Sequence, residues 1–201
     1  MNWSTMSIPY PLLCRPEDPY QPVTYFSSYQ PKIKTTYIVR TLDLPADMLW
    51  MIRWTGTEED KDVAAHQRLY DELISDLERE ARDPYYQHLV VIENDIPRLL
   101  ITVGLETNPY RQVSRQQNNY VWYPRADFAV PIARLLLPIR VALDCCFQFK
   151  GVERVFLVLD RYQQRYHHLA IMAGFEPLKM AAGQMAAGSG CYQYRRNFNA
   201  P

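Results

Sequence analysis

The residues of this 201-residue chain that could move a proton are a few carboxylates and one pair of histidines. Asp127 lies in the run 120–130, Tyr-Val-Trp-Tyr-Pro-Arg-Ala-Asp-Phe-Ala-Val. Glu93 and Glu106 fall at the ends of predicted strands, and His167 and His168 fall in a predicted helix. A carboxylate or imidazole near a reacting amine can act as general base, and a protonated group can act as general acid. Adjacent helical residues diverge by about 100°, so the two histidines cannot chelate one metal. One of them, His167 in our assignment, can face a cleft, and no metal site is expected. The competing readings are a solvent-facing Asp127, exposed glutamates at strand ends, and histidines in surface or packing roles. Tyr162 and Tyr166, spaced i,i+4, are expected to pack together. Cys14, Cys145, Cys146 and Cys191 form no CxxC pair and read as buried free thiols. The chain has no local Ser-His-Asp motif, Walker motif or dinucleotide fingerprint.

The elements that must position these groups follow from periodicity and punctuation. Residues 1–34 are rich in Pro, Tyr, Ser and Gln and read as an extended arm, docked on the domain or on a second copy as a homodimer. Thr35–Thr41 alternates like a strand. A helix with Pro45 in its first turn follows, and an amphipathic helix spans 61–82. Residues 88–93 and 98–106 form a hairpin about Asn94-Asp95. Residues 120–130 are the next strand, where Pro124 predicts a bulge or a break in pairing. A helix from about Leu136 to Phe149, with Pro138 in its first turn, leads to the apolar strand 152–159. Asp160 is read as the cap of a helix 161–173 that Gly174 ends. Strands at 175–180 and 191–198 close the chain. The strand-helix-strand unit 120–159 predicts two parallel strands. Ligands of such sheets sit at the carboxyl ends of the strands, which points to residues 128–136 and 159–167.

Composition narrows the function classes. Lys plus Arg and Asp plus Glu are both 22, so the net charge is zero and no basic footprint for nucleic acid exists. No apolar run reaches the roughly 18–20 residues of a membrane span. No secretory signal is expected, and the chain reads as soluble and cytoplasmic. Only 7 residues are glycine. Gly183, Gly188 and Gly190 fall in one stretch, 181–190, which precedes no helix and so fails as a phosphate cradle. A substrate-side loop is expected there instead.

The stretch from Val152 to Pro177, with its apolar strand, following helix and Gly174-Phe175 ending, resembles the C-terminal half of the GCN5-related N-acetyltransferase superfamily. The Ala173-Gly174-Phe175 ending is similar to the branch that acylates siderophore precursors. The element order is similar across about 35–198. The resemblance implies an α/β (α+β) domain over 35–201: a mixed, splayed central β-sheet flanked by about four helices. It implies acetyl-coenzyme A or another acyl-coenzyme A as co-substrate and a small-molecule amine as acceptor. The pantetheine would pair with the amides of Phe128, Ala129 and Val130, and the phosphates would meet Arg134, Leu135 and Arg161. Gln163 takes the place of an asparagine that contacts the cofactor. Asp127 would be the base and His167 a second acid-base group.

The chain departs from the superfamily's pattern in three places: the pyrophosphate loop, Gln163 and Ala170. The pyrophosphate loop reads Arg134-Leu-Leu-Leu-Pro138-Ile139 and lacks glycine, which lets a backbone approach a phosphate closely. Pro138 removes one N–H donor. The tyrosine that protonates the leaving thiolate would fall at Ala170. Two alternatives therefore stay open: a non-catalytic module on the same fold, and an acyltransferase that uses a different thioester donor.

Overall fold

The computed structural model describes residues 21–55, 63–83, 86–105, 119–148, 152–160, 162–178 and 190–195. Chain order is β1 (Thr24–Gln30), β2 (Thr35–Thr41), α1 (Leu44–Thr55), α2 (Val63–Arg82), β3 (Tyr86–Glu93), β4 (Ile96–Leu105), β5 (Tyr120–Ala126), α3 (Ile132–Gln148), β6 (Arg154–Leu159), α4 (Gln164–Ala173), β7 (Glu176–Leu178) and β8 (Gly190–Arg195). The strands form one mixed sheet in the order β1-β2-β3-β4-β5-β6-β8-β7. Among the described residues every neighbouring pair is antiparallel except β5 and β6, which run parallel as the strand-helix-strand pattern predicts. Alternation along β3 and β4 sends Leu89, Val91, Leu99 and Ile101 into the larger core under α3 and α4, and Val90 and Leu100 into a second core under α1 and α2.

Each turn has a local cause. Asn94 and Asp95 both adopt positive φ, 45° and 67°, as a tight two-residue hairpin between β3 and β4 requires. The Asp43 carboxylate accepts the Ala46 amide and starts α1, and buried Asp47 anchors that helix to β2 through two 2.7 Å bonds from Arg40. Gly174 (φ 92°) ends α4: its N–H reaches Ile171 O and Phe175 N–H reaches Ala170 O. Both bonds make a Schellman cap, and Phe175 drops into the core. The Ala-Gly-Phe ending thus has a capping and packing role whatever the chemistry.

Several boundaries differ from the sequence reading. The described part of the N-terminal segment contributes β1, paired along β2, so the sheet begins before Thr35; residues 1–20 lie outside the described residues. α3 begins at Ile132, and Pro138 sits inside it. The missing Pro138 N–H leaves the Arg134 carbonyl without its helical donor, a cost of about 3 kcal/mol. Burial of Leu135, Ile139, Ala142 and Cys146 on one face outweighs it. α4 begins at Gln164, not Arg161, and Asp160 does not cap it. The Gln163 side chain instead accepts the Asp160 amide at 2.9 Å and tightens the turn before the helix. Tyr162, expected to pack against Tyr166, precedes the helix and is 77 % exposed. β5 stops at Ala126, short of Val130. Gly56, Glu106, Gly151, Arg161 and most of 181–190 lie outside the described residues.

Candidate active site at the fork between β5 and β6

β5 and β6 pair only at Tyr120–Val155, Val121–Phe156 and Trp122–Leu157. Past Trp122 they part, while β5 remains paired with β4 as far as Ala126 without a register shift. The break expected at Pro124 is therefore one-sided. It faces β6 and opens a fork, with no bulge toward β4. A proline suits that edge, since it has no N–H to leave unsatisfied. Two residues on, Ala126 presents its N–H to the opening, where the Tyr166 hydroxyl of α4 accepts it at 3.0 Å. Burial raises the Tyr166 pKa above the ordinary 10.0, against the lowering effect of the Ala126 bond, Arg125 and Arg165. The ring also meets Phe128 edge-on at 4.6 Å, and Arg165 covers Phe128 from 4.4 Å and donates to its carbonyl. Tyr166, Phe128 and Arg165 thus close the mouth of the fork. Behind them lies a pocket of about 10 Å³ among Trp122, Pro124, Leu157, Tyr166, Ala170 and Phe175.

The residues singled out by sequence group differently. Asp127 is neither a free base nor a solvent-facing strand residue: it is buried, one oxygen takes Arg98 Nη1 at 2.7 Å and the other the Ala129 N–H at 3.2 Å. Glu93, expected to be exposed, is buried on the same guanidinium, with Arg98 Nε at 2.8 Å and the Tyr37 hydroxyl at 2.9 Å. Phe128, Ala129 and Val130 form a turn beyond the strand. Phe128 N–H bonds Ala126 O, Val130 N–H bonds Asp127 O, and Ala129 N–H bonds Asp127. These three amides have internal partners, so the sequence-based assignment of pantetheine contacts does not fit this geometry. Leu135 turns its side chain into the core, and Arg134 is exposed in the first turn of α3.

His167 is held at both ring nitrogens. Nε2 lies 2.9 Å from Asp160 O, which can only accept, so Nε2 carries the proton. Nδ1, 2.8 Å from the Tyr192 hydroxyl, then accepts. The ring pins α4 to β8, which accounts for Gly190: a Cβ there would stand 2.8 Å from His167 Cε1. Gly190→Ala is expected to cost about 1–3 kcal/mol in chemical denaturation through overpacking. An unchanged midpoint would contradict this contact. His168 is exposed. Cys145, Cys146 and Cys191 are buried free thiols, and burial pushes Cys145 up to about 12. Among the described residues no His/Cys/Asp/Glu group could hold a metal, and no helix is long and apolar enough to cross a membrane.

Sequence reasoning missed Arg98 and Tyr166. Arg98 meets Asp127 because Leu99 pairs with Ala126 across β4 and β5. Only that register, set between residues 29 apart in sequence, could have joined them.

The described residues form an eight-stranded mixed sheet with one parallel pair that forks, flanked by four helices, and this is the fold of the GNAT acetyltransferases. Solved structures bear this out. The chain is similar to an uncharacterised protein from Bacillus halodurans (TM-score 0.63, 12% identity, 89% of this chain and 92% of that one). It is similar to an aminoglycoside acetyltransferase in complex with coenzyme A (TM-score 0.57, 13% identity, 80% and 95%). It is also similar to spermidine N-acetyltransferase from Vibrio cholerae in complex with CoA and spermine (TM-score 0.53, 13% identity, 79% and 95%). No known family pattern and no curated protein matches the sequence.

Proposed function

We propose that this protein is an acyl-coenzyme A-dependent N-acyltransferase that moves a short acyl group, acetyl in the simplest case, onto a small amine. The observation that carries the reading is the fork, where one backbone N–H, that of Ala126, and one protonated phenol, that of Tyr166, meet at 3.0 Å. The donor supplies the thioester carbonyl and a thiolate leaving group. Once the tyrosine moves off, the Ala126 N–H is a donor for an oxygen that gains negative charge. Tyr166 holds a proton at its hydroxyl in the neutral range, because burial raises its pKa, and so supplies the acid absent at Ala170. The C–N bond forms as the C–S bond breaks. The phenolic proton goes to sulfur and the amine's proton leaves to solvent. Asp127 and His167 orient the frame rather than exchange protons, since their polar atoms are engaged. The exposed Arg134 guanidinium, in the first turn of α3, is the natural contact for the donor's phosphates.

The acceptor class is a small amine, with polyamines first because one structural neighbour was solved with spermine. A siderophore precursor has only the Ala173-Gly174-Phe175 ending in its favour. The buried free thiols fit a reducing, cytoplasmic setting, and pairing of two copies through residues 1–34 is part of the same proposal. The test is thiol release from acetyl-coenzyme A with spermine or an aminoglycoside. Amine-dependent release is expected; release that ignores the amine, or none with any primary amine, would overturn the reading. A second reading is favoured by one observation: the amides of Phe128, Ala129 and Val130 are already bonded. That arrangement suits a donor held mainly by its pantetheine arm, such as a carrier-protein thioester, or a module that binds without turnover.

A further inference from the structure

One row of residues crosses the face of the sheet that carries α1 and α2. Arg40 pairs with Val90, Val90 with Leu100 and Leu100 with Arg125, from β2 to β5. Pro124 and Ala126, on either side of Arg125, belong to the opposite face, where α3 and α4 lie. Helix α1 runs along this row. Asp47 fixes its first turns to Arg40 at 2.7 Å, and further on the helix lies against β4 and β5. Trp54 follows Asp47 by about 10 Å along the axis, at about 1.5 Å per residue, and packs on the cluster that holds Leu100. The far end of α1 thus brings Trp54 to the Arg125 side of the sheet. Two donors end there without acceptors. Arg125 Nη1 and Trp54 Nε1 are shut off from solvent, and neither has a hydrogen-bond partner among the described residues. Arg40 and Arg98 each meet a carboxylate at 2.7 Å. Among the described residues no carboxylate pairs with Arg125, and Glu80 meets Thr102 and His88 one row away. An orphaned buried donor costs stability, and a charged one costs more. A guanidinium matches the planar fork of a carboxylate, and an indole N–H can only donate. Arg125 as a whole is half-buried, so a ligand can reach it.

We propose that Arg125 and Trp54 bind a carboxylate of the acceptor, so that the acceptor is an amine that also carries a carboxylate, an amino acid in the simplest case. The proposal rests on the acyl-transfer reading above and narrows its acceptor. Spermine is a neighbour's ligand, whereas the two donors belong to this chain, and a polyamine brings no anion for them. Its ammonium groups would meet Arg125 with like charge. Arg125 immediately precedes Ala126, whose N–H faces the fork. A carboxylate held there leaves its amine beside the fork, where the transfer runs as described.

The test is thiol release from acetyl-coenzyme A by the full chain with L-lysine, L-alanine and L-phenylalanine, with the matching amino acid amides, and with spermine. Lysine carries one amine beside its carboxylate and another at the end of its side chain, so both spacings are sampled. At least one acid form is expected to exceed its amide and spermine by about a hundredfold or more in kcat/KM. Arg125→Gln is expected to erase that preference, mainly through KM, and Trp54→Phe to reduce it by about tenfold. Amine-dependent release that favours spermine, or that treats acids and amides alike, would overturn this proposal and leave the transfer reading standing. A preference for acids that survives Arg125→Gln would also overturn it. No release with any of these amines would overturn both. If Arg125→Gln does not fold, the wild-type ratio of acid to amide and Trp54→Phe decide.

Discussion

Arg98→Met is expected to lose about 3–5 kcal/mol of folding stability, the cost of stripping two buried carboxylates of the guanidinium bonded to both. Arg98 joins Glu93 and Asp127 with side-chain exposures of 12%, 11% and 8%. Burial alone would lower the Arg98 pKa, but the bonds to both carboxylates leave it raised. Without the guanidinium, two buried carboxylates share the site with the Tyr37 hydroxyl. The Tyr37 pKa is itself raised by burial first and by Glu93 second. Denaturation midpoints of the variant and the wild type read this loss directly, and an unchanged midpoint would contradict the charge account. The turn 127–130 should loosen as well, because the Asp127 carboxylate that accepts the Ala129 amide is also the one bonded to Arg98.

Tyr166→Phe is expected to split binding from turnover. The hydroxyl that occupies the Ala126 N–H competes with any carbonyl that would use it. Its removal is expected to tighten acyl-coenzyme A binding by up to about tenfold, the worth of one net hydrogen bond. Turnover should fall by about 10²–10⁴, as for loss of a general acid. Because the phenol's pKa lies above 10.0, the wild-type rate should show no loss from Tyr166 ionisation between pH 7 and 9. The linkage runs the same way: the protonated phenol is favoured in the fold, so its contribution is intact below the unfolded value and fades as pH climbs through the folded one. Unchanged turnover in the phenylalanine variant would remove Tyr166 from the chemistry. Weakened binding would show that the hydroxyl supports the fork rather than closes it.

The sheet and the parallel pair were legible because their signals are local. Asn94-Asp95, the apolar run at 154–159 and Gly174 each fix one element by themselves. β1 was harder to read. Its exposed edge position gives a mixed pattern, and the many prolines before it look like a linker. Helix α3 was misplaced because Pro138 reads as a start signal, whereas tertiary burial carries the helix through it. The site was legible in location but not in residues. The crossover rule points to the carboxyl end of β5, where the fork lies. It cannot say that Asp127 will meet an arginine from β4, or that a tyrosine one turn before Ala170 will reach the strand instead. Those are facts of register and of helix docking. The shortage of glycine has a matching outcome, since the turn before α3 spends its amides on itself.

The central claim is that the fork receives an acyl-coenzyme A arm. Calorimetric titration of the full chain with acetyl-coenzyme A tests it most directly. Saturable binding is predicted, with about 2.7 kcal/mol of added stability at 100 times the dissociation constant and tighter binding in Tyr166→Phe. Absence of heat and of any thermal shift at millimolar ligand, in both wild type and Tyr166→Phe, would contradict it.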